Sequence, residues 1–103
     1  MTSAFEVELQ GDSMWPTFVH GDVLCFEPLK KNEPLLPGDV VLAAHPLKAE
    51  VLMVKRIRRV LEGGDLFLVG DQPDPTASED SHNFGPVRNG AVLGKWNGEV
   101  KRA

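Results

Sequence analysis

Hydrophobic and polar residues alternate over several short stretches of the chain, a pattern that predicts half-buried β-strands. In residues 5–10, Phe, Val and Leu alternate with Glu, Glu and Gln, and residues 51–61 keep a similar period for longer. No stretch sustains the period of an amphipathic helix. Four further strands are predicted, at residues 23–26, 39–45, 66–69 and 91–96.

Turn residues separate the predicted strands. Gly-Asp pairs begin at residues 11, 21, 38, 64 and 70, and glycine supplies the backbone conformations that tight turns need. The stretch at residues 70–85 is a long polar loop, and a loop of that length in a small domain is usually functional or disordered. We therefore predict a mainly β protein that forms one small domain over residues 1–103, with few helical turns.

Composition removes several classes of function. The formal net charge of -4 gives no general electrostatic reason to bind nucleic acid, so we expect no nucleic-acid partner. Cys25 is the one cysteine, which excludes an intrachain disulfide. No stretch approaches about 18 consecutive apolar residues, so we expect no integral membrane segment, no signal peptide and a cytoplasmic location.

Ser13 and Lys55 are the candidates for chemistry. A serine hydroxyl is a weak nucleophile at neutral pH, so hydrolysis by Ser13 needs a base elsewhere in the chain. Alternation puts Lys55 on the same side of its strand as Val51, Met53 and Ile57. Burial on that apolar face lowers the pKa of an amine and favours the neutral form, which can accept a proton.

Local composition alone leaves simpler interpretations open. Gly-Asp-Ser is an ordinary turn sequence, and a lysine beside arginines in a strand is often a solvated charge. The spacing of His20, His45 and His82 fits no zinc or calcium pattern, so we assign them surface or structural roles. We expect no bound metal or cofactor.

Three blocks of sequence, in this order, resemble the signal peptidase I family of Ser/Lys endopeptidases. They are GDSMWPT at residues 11–17, VKR at residues 54–56 and GDQPDPTASEDSHNFG at residues 70–85. The resemblance implies compact coiled antiparallel sheets, the fold shared by signal peptidases and LexA-type repressors.

The same resemblance implies a role for individual residues. Ser13 is the implied nucleophile and Lys55 the implied general base. In the third block, Ser78 is implied to orient the Lys55 amine by a hydrogen bond, with Asp71 and Asp80 in support.

The chain departs from the family pattern at three positions. Gln72 stands where the family has asparagine, and His82 where it has arginine, so we expect a His82 ion pair with Asp80 only when the ring is protonated. Gly11 stands where many leader peptidases carry a serine that helps to bind the oxyanion. The oxyanion hole is then expected to use the Ser13 backbone amide and a neighbour.

A narrower resemblance is to the nickel-type superoxide dismutase maturation proteases. The shared landmarks are MWPT, PGDVV, HP, VKR and FG. This resemblance implies a substrate whose N-terminal leader is removed so that the new N-terminus can bind nickel, and the nickel then belongs to the product.

The leading hypothesis is a soluble serine endopeptidase that removes the N-terminal leader of a precursor protein. The scissile segment is expected to bind as an added strand. The residues expected to contact it are Val7, Leu9, Gln10, Gly11, Met14, Leu52 and Met53. Three other functions stay open: a general leader peptidase held at a membrane by a partner, a LexA-type regulatory domain that cleaves its own chain, and a noncatalytic peptide-binding domain.

Overall fold

The structure, a computed structural model, describes residues 3–30, 32–74, 76 and 79–103. Its strands are β1 (Phe5–Glu8), β2 (Val23–Glu27), β3 (Val40–His45), β4 (Lys48–Val60), β5 (Leu66–Val69) and β6 (Val92–Lys101). A short helix, α1 (Ser81–Phe84), and a 3-10 turn (Asn89–Ala91) lie between β5 and β6. The prediction of a mainly β protein with few helical turns is confirmed.

The six strands form one antiparallel sheet in the order β1-β2-β6-β3-β4-β5. β6, the last strand in the sequence, lies inside the sheet between β2 and β3. β1 and β5 are the edge strands. β6 thus joins the β1–β2 pair to the group formed by β3, β4 and β5.

Apolar side chains pack on both faces of the sheet. In β3, Val40 and Leu42 belong to one cluster, whereas Val41 and Ala43 belong to the other. Burial on both faces explains why β3 is a continuous apolar run and does not alternate. The first cluster consists of Leu9, Met14, Phe18, Leu24, Phe26, Val40, Leu42 and Val54. The second consists of Val41, Ala43, Met53, Ile57, Leu66, Leu68, Val87 and Val92.

Two predicted strands are too short. β6 does not stop at Trp96 before a charged tail, because Val100 still pairs with Leu24 of β2. β4 begins at Lys48, three residues before its predicted start, where its exposed first residues form a hairpin with β3. The other predicted strands agree with the structure within two residues at each end.

The predicted polar loop at residues 70–85 contains α1, which the sequence did not indicate. Asp80 caps this helix: its side chain accepts the His82 N–H, and its own N–H donates to the Asn83 side chain at 3.1 Å. Four residues are too few for a helical period to be visible in the sequence. Within the described part of the chain, no helix has the length and apolar character needed to cross a membrane.

Candidate active site

The turn that follows β1 carries Ser13. Gly11 has a φ of 80°, a left-handed conformation that glycine adopts without steric cost. The Phe18 N–H donates to the Met14 carbonyl at 3.0 Å and closes a helical turn directly after Ser13. Met14 and Phe18 are fully buried, so they anchor the turn in the core and leave Ser13 half-buried at its surface.

Asp71 and Gln72 fasten this turn to the loop after β5. The Gln72 N–H donates to the Ser13 carbonyl at 3.0 Å, and the Gln72 side-chain amide donates to the Asp12 carbonyl at 3.2 Å. The Thr17 hydroxyl donates to Asp71 at 2.6 Å. Gln72, which replaces the asparagine of the signal peptidase pattern, therefore contacts the turn that carries Ser13 through both its backbone and its side chain.

Asp71 also binds Arg56, the residue next to Lys55. Arg56 donates from Nε to Oδ1 at 2.8 Å and from Nη2 to Oδ2 at 2.7 Å, a bidentate ion pair. Burial alone raises the pKa of Asp71, but the hydrogen bonds from Arg56 and Thr17 outweigh burial and hold that pKa below its ordinary value. The ionised carboxylate joins β4 to the turn that carries Ser13.

Lys55 is buried in β4, with 4% of its surface exposed. It lies between Met53 and Ile57, which belong to the second apolar cluster, as alternation predicted. Burial lowers the pKa of Lys55, and the charges of Asp80 and Glu79 partly oppose that shift. Near neutral pH, a larger fraction of Lys55 is therefore in the neutral amine form than would be the case for an exposed lysine.

Ser13 and Lys55 line the same cleft, whose volume is about 530 Å³. The cleft runs between the end of β1 and the first half of β4. Its lining residues are Val7, Glu8, Leu9, Gln10, Gly11, Asp12, Ser13, Leu42, His45, Lys48, Val51, Leu52, Met53, Val54, Lys55 and Glu79. Both apolar and hydrogen-bonding groups therefore line it.

Both walls of the cleft are strand edges. β1 is an edge strand that pairs with β2. β4 pairs with β5 from Arg56 onward, so residues 48–55 have β3 on one side and no strand of the described chain on the other. Unpaired backbone N–H and C=O groups on such edges can bind an extended peptide as an additional strand.

Most of the residues predicted to contact a substrate line the cleft. They are Val7, Leu9, Gln10, Gly11, Leu52 and Met53. Met14 does not line it, because this side chain is fully buried in the first apolar cluster beneath the turn. Ser78, the predicted orienting residue, lies outside the described residues.

Asp80 lies at the start of α1, and its charge acts on Lys55. Its carboxylate accepts the His82 N–H and the His82 ring Nδ1–H, both at 2.9 Å. Burial alone raises the pKa of Asp80, but these bonds outweigh it, and the pKa lies below the ordinary value. The ring contact does not need a protonated His82, because a neutral ring with its hydrogen on Nδ1 also donates.

The sequence analysis missed a second histidine-carboxylate pair, His45 with Glu79, at the cleft wall. His45 has 6% of its surface exposed and packs against Phe84, with ring centroids 4.9 Å apart. The Leu47 N–H donates to His45 Nδ1 at 3.0 Å, so Nε2 carries the hydrogen that is donated to Glu79. Thirty-four residues separate the pair, and no local pattern connects them.

His20 binds the backbone of the turn that carries Ser13. The Gly11 N–H donates to His20 Nδ1 at 2.8 Å. The Gly11 amide is therefore already used in this arrangement and is not free to donate to a ligand in the cleft.

One family model, described as Peptidase S24-like, matches residues 2–84. This span includes the turn with Ser13, the strand with Lys55 and the loop with Asp71 and Asp80. No curated protein matches the chain. Because the match covers more than half of the sequence, the chain belongs to the Peptidase S24-like family. Membership supports a function as a serine peptidase or as a LexA-like domain.

Proposed function

We propose that the protein is a serine endopeptidase in which Ser13 is the nucleophile and Lys55 the general base. The observation that supports this most is that both residues line one cleft, with Lys55 buried and its pKa lowered. A base must hold a free electron pair to accept the serine proton, and burial in β4 favours that neutral state by lowering the pKa of Lys55. The family match supports the same class of enzyme.

The proposed reaction follows the acyl-enzyme route. Ser13 Oγ attacks the carbonyl carbon of the scissile bond while the Oγ–H proton passes to the Lys55 amine. The resulting ammonium then protonates the leaving amine as the carbon–nitrogen bond breaks. Water, deprotonated by the same amine, attacks the ester and releases the acid product, which restores both side chains.

The substrate class follows from the two strand edges. A segment bound between β1 and β4 must be extended, and its side chains then alternate between the two faces of the cleft. Val51 and Leu52 on β4 are 42% and 53% exposed, and contact with a substrate segment would cover them. These features support a flexible leader or linker as the cleaved segment.

For the substrate itself, we propose the N-terminal leader of a precursor protein, with a nickel superoxide dismutase proenzyme as the first candidate. The landmarks MWPT, PGDVV, HP, VKR and FG support this choice. With this substrate we propose a cytoplasmic location. The alternative proposal is a general leader peptidase that a partner holds at a membrane.

The first prediction is that the purified protein cleaves such a precursor, read as a new N-terminus by mass spectrometry. Ser13→Ala and Lys55→Met should each lower kcat/KM by about a thousandfold or more, because each removes a group needed for acyl transfer. Exposed residues supply matched controls: Ser3→Ala and Lys30→Met should retain wild-type rates. Wild-type activity in either active-site variant contradicts the dyad.

The choice of substrate is tested separately. Cleavage of unrelated leader peptides, with the nickel precursor left intact, would keep the dyad and favour the general leader peptidase. If no peptide is cleaved but extended peptides bind the cleft, the protein is a noncatalytic peptide-binding domain.

The second candidate function is self-cleavage of the LexA type, which the family match also supports. Self-cleavage within one chain is first order, and its rate constant does not depend on protein concentration. Cleavage of a separate precursor depends on enzyme concentration. Incubating the protein alone at several concentrations, with the chain mass as the readout, distinguishes the two.

A further inference from the structure

Glu79 is fixed at the wall of the cleft although more than half of its side chain is exposed. Exposed glutamates usually sample several rotamers, but this one accepts a hydrogen bond from the buried His45 ring. The Leu47 N–H fixes the tautomer of that ring from the other side. A buried side chain and a backbone amide thus determine where one carboxylate lies.

The charges of two carboxylates, Asp80 first and Glu79 second, raise the pKa of Lys55, and the two carboxylates differ in their surroundings. Asp80 is bound by donors from α1 and from the Gly70 backbone, so its charge is also used to cap the helix. Glu79 caps no helix and faces the cleft. The hydrogen bond from His45 keeps the pKa of Glu79 below its ordinary value, with the nearby charge of Lys48 acting in the same direction, so the carboxylate is ionised near neutral pH.

The catalytic cycle proposed above creates a charge that the fold must stabilise. When Lys55 accepts the Ser13 proton, it becomes an ammonium on an apolar face of β4, where burial disfavours the charged form. A nearby fixed carboxylate stabilises such a cation, as the aspartate of a serine protease triad stabilises the histidine cation. The remaining charged groups at the cleft are Glu8, Asp12 and Lys48.

We propose that Glu79, fixed by His45, is a positioning residue that stabilises the Lys55 ammonium formed during acylation. This inference rests on the proposed function, because it assigns Glu79 to the same proton transfer. The Oγ–H bond of Ser13 breaks, the proton binds the electron pair of the Lys55 nitrogen, and Glu79 gains or loses no proton in the step.

The central experiment compares wild type with Glu79→Gln, which keeps the shape of the side chain and removes its charge. The Lys55 amine is titrated by NMR through its side-chain carbon and nitrogen shifts, and kcat/KM is measured across the same pH range. In Glu79→Gln the Lys55 titration and the acidic limb of the profile should both move to lower pH. The rate at the plateau should fall about two- to tenfold, because a weaker base accepts the proton less readily.

Glu62→Gln is the matched control. It removes the same charge from an exposed position in the turn between β4 and β5, and it should change neither the Lys55 titration nor the profile. Salt provides a second control, since the Debye length is about 3 Å at 1 M salt. At that ionic strength, wild type and Glu79→Gln should titrate more alike than at low salt.

The role of His45 is tested by a double-mutant cycle. His45→Leu removes the donor that fixes Glu79, and it should shift the Lys55 titration in the same direction as Glu79→Gln. Once Glu79 is glutamine, His45→Leu should add little further shift, because both changes act through one carboxylate. If His45→Leu does not fold, Glu79→Gln at its exposed position still tests the proposal.

The outcomes separate this inference from the proposed function. An unchanged Lys55 titration in Glu79→Gln overturns the inference, whether or not the wild type cleaves peptides. If activity falls only for substrates with a basic residue while the Lys55 titration is unchanged, Glu79 recognises substrate and the inference is wrong. If Glu79→Gln shifts the Lys55 titration but the wild type cleaves no substrate, the proposed function is wrong, and the role of Glu79 in acylation is wrong with it.

Discussion

At the scale of single residues, the proposed function of Lys55 and the stability of the fold place opposite demands on one side chain. Its neighbours on the same strand face, Met53 and Ile57, are apolar and buried. An amine between them loses most of its hydration, and this loss destabilises its charged form. A methionine would fill similar volume without that penalty, so the lysine is explained by chemistry better than by packing.

Lys55→Met should therefore stabilise the fold, and most strongly at low pH. Because the pKa of Lys55 is lowered from 10.5 in the folded chain, the unfolded chain binds more protons between the two values. Wild-type stability thus rises with pH through that window and is lowest below it. At pH 7 the variant should gain about 1–3 kcal/mol in the free energy of unfolding, and the part of this gain that comes from the charge should vanish above pH 10.5.

Urea unfolding at several pH values measures this difference. The exposed variant Lys30→Met is the control, since its side chain loses little hydration on folding. A variant that is less stable than wild type at every pH would mean that the Lys55 amine makes stabilising interactions stronger than its loss of hydration.

Some features of the candidate site were predictable from the sequence and others were not, for a physical reason. The burial of Lys55 on an apolar face was predictable because side chains alternate strictly along a strand, so the orientation of one residue fixes that of its neighbours. Met14 was predicted to contact a substrate but is buried in the core, because a turn has no such period to show which side chains pack inward. His45 and Glu79 meet only through the folding of distant segments, and the local pattern of a single sequence carries no signal of such contacts.

At the scale of elements, the Arg56–Asp71 ion pair holds the two halves of the candidate site together. Arg56 follows Lys55 on β4 and binds Asp71. Asp71 also accepts a hydrogen bond from the Thr17 hydroxyl, in the turn that carries Ser13. The Arg56 guanidinium reaches the Gly38 carbonyl as well, at 2.8 Å. The position of Ser13 relative to Lys55 therefore depends on a side chain that need not touch the substrate.

Asp71→Asn should weaken both the fold and the site. Loss of the charged hydrogen bonds should lower the free energy of unfolding by about 1–3 kcal/mol. Displacement of the turn should lower kcat/KM by about 10- to 100-fold. Because the pKa of Asp71 is lowered on folding, its contribution is present above the ordinary value of 3.8 and is lost as pH falls below it.

Asp65→Asn is the control for this prediction, because that exposed aspartate lies in the turn before β5. Unfolding by urea at pH 7 and at pH 3 separates the charged contribution from any change in packing. If Asp71→Asn is as stable and as active as Asp65→Asn, the ion pair does not position the turn.

Element boundaries were predictable where the alternating residues are apolar. β5 was predicted with its observed ends, since Leu66–Val69 is a short apolar run between two glycine turns. The predicted β6 ended too early, because residues 97–101 are mostly polar and lie on an exposed part of the strand. Pairing with β2 extends it, and pairing is a property of the sheet and not of the segment.

At the scale of the whole molecule, the matched family span and the folded unit differ. The span ends at residue 84, whereas β6 begins at Val92 and lies between β2 and β3 in the sheet. Gly94 brings β6 so close to its neighbours that a Cβ there would lie 3.0 Å from the Phe5 ring. Residues beyond the match therefore belong to the core.

Residues 102 and 103, which follow β6, contact the turn that carries Ser13. Arg102 donates to Asp22 at 3.1 Å and to the Thr17 carbonyl at 2.9 Å, and the Ala103 N–H donates to Asp22 at 2.8 Å. Asp22 is fully buried. The end of the described chain thus contacts the same turn that presents Ser13.

A pair of truncations tests how the molecule depends on its last strand. A fragment of residues 1–91 lacks β6, so β2 and β3 lose their shared partner, and the apolar clusters lose Trp96, Val100 and Val92. It should show a collapsed amide NMR spectrum and no cooperative urea transition. A fragment of residues 1–101 keeps every strand and should fold, but the amides of Phe18 and Val19 should exchange faster, because Asp22 has lost the Arg102 and Ala103 donors that help to hold it against this turn. A cooperative fragment 1–91 would contradict the strand order, because removal of β6 leaves one edge of β2 and one edge of β3 without a partner and divides the sheet into β1–β2 and β3–β4–β5.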